Sequence, residues 1–236
     1  MALNDPTLVA KEYSTEKGLE GRAAAYKPEN VEGPDANAVA LDAVAEVSPR
    51  SVLEVGCGWG AFAASVSART GAEVVAIDIS PRMVELARSR GVDAREGTVE
   101  DLPFPDETFD VAVANWMLYH VADLDRGVSE LARIVRRGGR LVAVTNGLDH
   151  LQELAELAGA HRTSPFHADN GAEILGRHFA YVERRDATGW VTFPTYEDAK
   201  SYVDASRSLR PGGGKLPRFE GPLRVRRSPY VFVATR

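Results

Sequence analysis

The stretch Val52-Leu53-Glu54-Val55-Gly56-Cys57-Gly58-Trp59-Gly60, followed by the second apolar run Val74-Val75-Ala76-Ile77-Asp78, constrains this chain more than any other. A β-branched run that breaks into a glycine-spaced turn and then an Ala-rich helical pattern reads as strand, tight loop, helix. Glycine is needed there because the loop takes backbone angles closed to other residues, and because a Cβ would block a ligand's approach to the main chain. Asp78 ends the next strand 22 residues past Gly56, where a carboxylate can accept hydrogen bonds from ribose hydroxyls. The arrangement is that of a nucleotide-cofactor cradle.

Gly56, Gly58 and Ala61 also satisfy the looser G-x-G-x-x-G/A fingerprint of NAD and FAD proteins. The turn alone therefore leaves a dehydrogenase, a methyltransferase and a purely structural turn open. Glu54 shifts the balance. It sits inside the strand, where an apolar residue would normally complete a buried run, and a carboxylate there needs a partner. S-adenosylmethionine carries an ammonium and a sulfonium, whereas the pyrophosphate of a dinucleotide would be repelled.

Four blocks carry a family resemblance: Leu53 to Gly60, Ala76-Ile77-Asp78-Ile79-Ser80-Pro81-Arg82-Met83, Leu102-Pro103-Phe104-Pro105-Asp106-Glu107-Thr108-Phe109-Asp110, and Arg136-Arg137-Gly138-Gly139-Arg140-Leu141. In this order and spacing the chain resembles the class I S-adenosylmethionine-dependent methyltransferases of the ubiquinone/menaquinone-biosynthesis (UbiE-like, methyltransferase type 11) group. The similarity runs from about Arg50 to Asn146. It implies an α/β fold: a Rossmann-like, doubly wound seven-stranded sheet, mostly parallel with an antiparallel last strand, plus a helical lid.

At 236 residues and 44% hydrophobic content the chain can bury a full α/β core, and no Pro-, Gly- or Ser-rich spacer divides its middle. We expect a single domain: an N-terminal helical lid over 1–48, a cofactor-binding core over 49–146, and acceptor-side helices with a C-terminal strand hairpin over 147–236. No apolar run is long enough to span a bilayer, the first residues lack a signal-peptide pattern, and the single cysteine, Cys57, excludes an internal disulfide. The expectation is a cytoplasmic protein, monomeric or homodimeric, that does not engage membranes.

Strands are expected near Ser51 to Val55, Glu73 to Asp78, Asp93 to Glu96, Phe109 to Asn115 and Arg140 to Asn146. Helices are expected near Ala61 to Arg69, Pro81 to Arg90 and Leu124 to Val135, with Gly71, Gly91 and Gly138-Gly139 as C-terminal caps and Ser80-Pro81 as a helix start. Later come helices around His150 to Ala158, Asn170 to Arg177 and Tyr196 to Ser206, a strand over Tyr181 to Phe193, and a last strand from Ser228 to Thr235. The Arg210-Pro211-Gly212-Gly213-Gly214 stretch reads as a connection, with or without a gating role.

The resemblance implies roles that chemistry supports. The backbone around Gly56, Cys57, Gly58 and Gly60 would lie against the methionine part of the cofactor, with Glu54 orienting that end and Asp78 holding the ribose. Ile79 and Met83 would flank the adenine. The family's acid after the Gly97 position is here Thr98, whose hydroxyl, with the Val99 amide and Glu100, would contact the ring instead. Asn115 and Trp116 end the fourth strand at the sheet's carboxyl edge, where open α/β sheets bind ligands.

Methyl transfer from a sulfonium needs alignment more than acid–base machinery. If the acceptor must lose a proton, His120 is the best-placed base, because imidazole titrates near neutrality. Tyr13 and Tyr26, in a helical stretch Lys11 to Tyr26 that folds across the cofactor in relatives, join Tyr119, His120 and His167 as candidate acceptor contacts, with Trp190, Phe193 and Tyr196 as further pocket aromatics. The other histidines show no metal-ligand spacing, so no metal is expected.

The expected reaction is methylation of a small organic acceptor, on oxygen first. There is no Asn-Pro-Pro-Tyr after the fourth strand, which argues against amide and exocyclic base nitrogens. A net charge of -6 argues against general nucleic-acid binding. Two rivals remain: an RNA methyltransferase using the basic tail Arg207, Arg210, Lys215, Arg218, Arg224, Arg226 and Arg227, and an NAD-type or non-catalytic nucleotide binder.

Overall fold

The computed structural model describes residues 3–161, 163–209 and 216–236. The chain opens with helices α1 (Pro6–Glu12) and α2 (Lys17–Ala23), a short strand β1 (Val31–Glu32) and helix α3 (Ala36–Ala45). Strands and helices then alternate: β2 (Ser51–Val55), α4 (Ala61–Thr70), β3 (Glu73–Asp78), α5 (Pro81–Ser89), β4 (Asp93–Glu96), β5 (Phe109–Asn115), α6 (Leu124–Ile134) and β6 (Val135–Asn146). The last third holds α7 (Gln152–Leu157), α8 (Gly171–Leu175), β7 (Tyr181–Asp186), β8 (Gly189–Phe193), α9 (Tyr196–Ala205), β9 (Leu223–Arg227) and β10 (Pro229–Thr235).

Seven strands form one sheet in the order β4-β3-β2-β5-β6-β10-β7, and β10 alone runs antiparallel to its neighbours. This is the Rossmann-like, doubly wound α/β architecture that the family resemblance implied. Every residue of β5 is buried, as an apolar strand covered on both faces requires. Alternation sends Leu53, Ala112 and Ala114 to the face under α6 and α8, and Val52, Val111 and Val113 to the face under α3 and α4. Strand order reverses between β2 and β5, so their carboxyl ends open a crevice at the switch point.

Four local expectations differ from the structure. The N-terminal stretch is two short helices, because Tyr13 caps α1 and the Ser14 hydroxyl turns back to the Lys11 carbonyl instead of continuing the ladder. Gly138 and Gly139 do not cap α6, which ends directly into β6 at Val135. They lie where the β5–β6 register shifts, and a Cβ on Gly139 would come 2.6 Å from the Asp110 carbonyl. The run Tyr181 to Phe193 is two strands in different sheets. At Gly189 the chain leaves the main sheet and joins a second one, ordered β1-β8-β9, and a Cβ there would meet the Glu32 carbonyl oxygen. The expected terminal hairpin is thus interrupted: β7 and β10 pair antiparallel, but the β8–α9–β9 excursion separates them in sequence. The glycine-rich connection over 210–214 lies outside the described residues.

Gly60 shows how tightly the cradle is packed. Its φ is +79°, and an added Cβ would sit 2.8 Å from Ala87 Cβ and 2.9 Å from Ala87 Cα on α5. Gly138 has a similar φ of +73° with nothing within 4 Å. Gly60→Ala should therefore cost about 2–4 kcal/mol in urea unfolding, combining left-handed strain with overpacking, whereas Gly138→Ala should cost only about 1–2 kcal/mol. Equal losses would mean that the α4–α5 contact is soft.

Candidate cofactor and acceptor site

The switch-point crevice deepens into a cavity of about 890 Å³ between the carboxyl edge of the main sheet, α1 and α2 above, and the second sheet beside it. Its floor is the glycine loop. Gly56 (φ +64°) and Gly58 (φ +53°) carry left-handed backbone, and a Cβ on Gly56 would strike Met117 at 2.7 Å. The Asp78 carboxylate holds the loop from the next strand: Oδ2 accepts from the Gly58 amide at 2.8 Å and Oδ1 from the Ser80 amide at 2.9 Å. Burial pushes the Asp78 carboxyl up, while these amides and that of Ile79 oppose the shift.

Glu54 is 3% exposed, lines the cavity, and its Oε2 has no hydrogen-bond partner among the described residues. Burial pushes its carboxyl up to about 8, although the Ala63 amide in the first turn of α4 hydrogen-bonds it and favours the ionised form. Asn115 repeats the pattern at the end of β5: it is buried, and both its Oδ1 and Nδ2 are unpartnered. Unsatisfied buried amides and carboxyls cost about 1–3 kcal/mol each, so two facing one cavity mark a polar ligand's place. An acid beside glycine backbone and an amide beside it suit an ammonium and a carboxylate together, which is the methionine end of S-adenosylmethionine. Ile79, 52% exposed despite being apolar, presents a wedge face in the same cavity, with Thr98, Val99 and Glu100 opposite.

The structure brings together most of the residues named from sequence. Cys57, Trp116, Tyr13, Tyr26, Tyr119 and His120 all line the cavity. Burial pushes the Cys57 thiol up, which keeps it unreactive. Six expected residues lie elsewhere. Met83 is fully buried, one turn into α5, with its side chain in the core. Gly60 packs against α5 instead of facing the cavity. His167 belongs to the turn before α8, where its Nδ1 accepts from the Asp169 amide. Trp190 stacks under Arg224 on the outer face of the second sheet, and Phe193 and Tyr196 pack in that sheet's own core. The sequence reading missed Arg22, Asn146, His150 and Tyr202, which also line the cavity. No local motif marks them; long-range topology delivers each.

The proposed base is part of a relay. His120 Nδ1 lies 2.9 Å from the Leu3 carbonyl and therefore donates to it, which leaves Nε2 as an acceptor. The Tyr13 hydroxyl, 3.0 Å from Nε2, donates to that lone pair. Burial pulls His120 down to about 4 and raises Tyr13 to about 12, so both are neutral across physiological pH. His150 has the reverse polarity: its Nδ1 accepts from the Ser228 amide at 3.0 Å, so Nε2 donates to the Tyr26 hydroxyl 3.2 Å away.

The basic tail does not assemble into one patch. Arg224 pairs with Glu32, Arg226 approaches Asp149, Arg218 lies over Tyr196, and the buried Arg227 donates to backbone carbonyls of Ala187, Glu32 and Pro34. Arg210 and Lys215 lie outside the described residues.

Residues 53–143 match the family model described as a methyltransferase domain. These residues thus resemble a methyltransferase domain, and the match covers less than half of the chain. Over 95 residues it is 44% identical to a demethylmenaquinone methyltransferase of Tropheryma whipplei, a match covering 39% of each chain. Over 119 residues it is 39% identical to a ubiquinone biosynthesis O-methyltransferase of Xanthomonas oryzae, covering 46% of this chain and 49% of that one. The matched region thus spans half or less of these relatives' length. Among solved structures, YcgJ of Bacillus subtilis shares the fold over 84% of this chain and 99% of its own, with a TM-score of 0.59 at 18% identity. Phospholethanolamine N-methyltransferase 2 of Haemonchus contortus shares it over 100% of this chain and 61% of its own, with a TM-score of 0.67 at 15% identity. The cofactor of such a methyltransferase domain is S-adenosylmethionine, which agrees with the unpartnered acid and amide at the glycine loop. No described helix is long and apolar enough to cross a membrane.

Glu54 makes cofactor binding pH-dependent. A carboxyl that titrates near 8 is protonated at pH 7, and an arriving ammonium favours its ionised form, so binding S-adenosylhomocysteine should release about one proton at pH 7. Calorimetry in buffers of different ionisation enthalpy should show this release, with affinity rising from pH 6 to 8. Glu54→Gln should abolish the pH slope and weaken binding roughly 10- to 100-fold at pH 8. The apo protein should show the linked effect. The folded value lies above the unfolded 4.5, so this group's contribution is complete below 4.5 and is lost as pH climbs through about 8. Urea midpoints should fall over that window in the parent and less in Glu54→Gln.

Proposed function

We propose that this chain is an enzyme that transfers the methyl group of S-adenosylmethionine to a small organic acceptor, on an oxygen atom whose proton passes to the Tyr13–His120 pair. The observation that carries the reading is the relay itself: a neutral imidazole with its free nitrogen aimed at a phenol that lines the cofactor cavity. When bound, the cofactor supplies an electrophilic methyl group on a sulfonium, so the chain needs no nucleophile of its own. Glu54 and Asn115 would fix the amino-acid end, Asp78 the ribose, and Ile79 the adenine, leaving the cavity beneath α1 and α2 for the acceptor.

The protein's remaining tasks are alignment, exclusion of water and acceptance of a proton. Tyr13 accepts a hydrogen bond from the acceptor hydroxyl while donating its own proton to His120 Nε2, so the pair takes up one proton and Tyr13 stays neutral. An imidazole pulled down to about 4 is a weak base, yet it suffices. A hydroxyl becomes strongly acidic as its oxygen gains a methyl group, and burial keeps the imidazole in the unprotonated form that can accept. The lid excludes water, and its anchor is specific: the Ser80 hydroxyl donates to the Tyr13 carbonyl at 2.7 Å, and Arg82 holds Glu16 at 3.0 Å.

The test is production of S-adenosylhomocysteine from S-adenosylmethionine by the full chain against a panel of small hydroxylated acceptors. Acceptor-dependent turnover is expected, and turnover only with amines would overturn the choice of oxygen. On an active acceptor, His120→Ala and Tyr13→Phe should each lower kcat roughly 100-fold or more with S-adenosylhomocysteine affinity within a factor of three. The parent's kcat should decline only as pH falls toward about 4, because protonation of His120 is what silences it. A decline centred near 6.5 would place the proton on another group.

A further inference from the structure

Beside the Tyr13–His120 pair lies a second, polar chamber of about 100 Å³ that shares lining residues with the main cavity, room for several waters or one oxyanion group. Tyr13, Arg22, Tyr119 and His120 border both spaces. The formally charged side chains lining the chamber, among the described residues, are two guanidiniums and one carboxylate. Glu12 lies between the guanidiniums, 2.7 Å from Arg22 and 3.5 Å from Arg207, so it cannot neutralise both. All three side chains are largely withdrawn from solvent. The Ser206 hydroxyl, on a residue 4% exposed at the end of α9, also lines the chamber and has no hydrogen-bond partner among the described residues.

Holding two cations around one anion away from water opposes folding, because desolvation outweighs the attraction that a single carboxylate returns. A buried hydroxyl without a partner adds to that cost. Both costs are relieved by one kind of ligand. Guanidiniums present forked donors matched to planar or tetrahedral oxyanions, and a serine hydroxyl supplies a further donor. We infer that the chamber seats an oxyanion carried by the methyl acceptor, a carboxylate or a phosphate, between Arg22, Arg207 and Ser206. The inference rests on the methyltransferase reading and deepens it by assigning the acceptor's class: a molecule with an anionic end in this chamber and its methyl-accepting atom on the cavity side of Tyr13.

Burial is the main cause that holds His120 down; Arg207 and Arg22 add to it, and the Leu3 carbonyl and Glu12 oppose it. An oxyanion in the chamber offsets only the arginines' share, so burial keeps the imidazole unprotonated when an acceptor is bound.

The test uses the full chain saturated with S-adenosylhomocysteine and three probes with one ring: benzoate, phenyl phosphate and benzamide. Binding of S-adenosylhomocysteine is measured first, and its absence would overturn the methyltransferase reading itself. In the saturated protein, benzoate or phenyl phosphate should raise the thermal midpoint saturably, the stronger of the two naming the oxyanion, and neutral benzamide should not. Arg207→Gln and Ser206→Ala should weaken that binding at least tenfold and about threefold, respectively, with S-adenosylhomocysteine affinity unchanged; Arg69→Gln, on the exposed face of α4, should leave it intact. If Arg207→Gln does not fold, Ser206→Ala carries the comparison. Equal protection by benzamide, no protection by either anion, or full retention in both variants would overturn the inference while leaving cofactor binding, and the reading built on it, in place.

Discussion

One carboxylate joins the parts of this molecule that must move together. Asp78 accepts from the Gly58 amide on one oxygen and the Ser80 amide on the other, and the Ser80 hydroxyl then reaches the carbonyl of Tyr13. The phenol of Tyr13 continues the line to His120, and His120 to Leu3. Glycine loop, start of α5, lid and proton acceptor thus form one hydrogen-bonded series. Buried links of this kind strengthen one another in low dielectric, and losing one leaves its neighbour unsatisfied. The glycine loop and His120 are therefore linked through one series of contacts.

The electrostatic logic of the site is that burial, more than charge pairing, sets protonation. Desolvation holds Glu54 protonated, Tyr13 un-ionised and His120 neutral, in each case as the leading cause. A neutral resting site limits the cost of an empty cavity, and Glu54 reaches its working state only when a ligand brings the compensating charge. Glu54 lines the main cavity and Arg207 the smaller chamber, with Arg22 bordering both, so a buried acid and a pair of guanidiniums sit in separate compartments.

The legible part of this protein is the part built from local sequence. Glu54, Gly56, Gly58 and Asp78 declare themselves because strand, turn and strand end lie within one short stretch, and the strands Ser51–Val55, Glu73–Asp78 and Phe109–Asn115 follow from apolar runs. Met83 misled because a helical residue near a site acid looks like an adenine contact, yet its place one turn into α5 points it to the core, and Ile79 just before the cap faces the cavity. Gly138-Gly139 misled because a glycine pair after a helix looks like a cap; here it makes room for β6 to pass the Asp110 carbonyl. Arg22, His150 and Tyr202 were illegible for a physical reason: partners such as Ala205 for Arg22 and Ser228 for His150 are far away in the chain, and only the closed fold makes them neighbours.

The β8–α9–β9 excursion leaves the main sheet after β7 and returns at β10, two strands that are themselves hydrogen-bonded neighbours. Its ends are clamped together by a ladder that would exist without it. Lengthening a segment between fixed ends adds only about 0.6 kcal/mol per doubling of a flexible loop, so inheritance can rewrite this wall of the cavity at small thermodynamic penalty. A change of length here would reshape that wall and leave the glycine loop and Asp78 where they are.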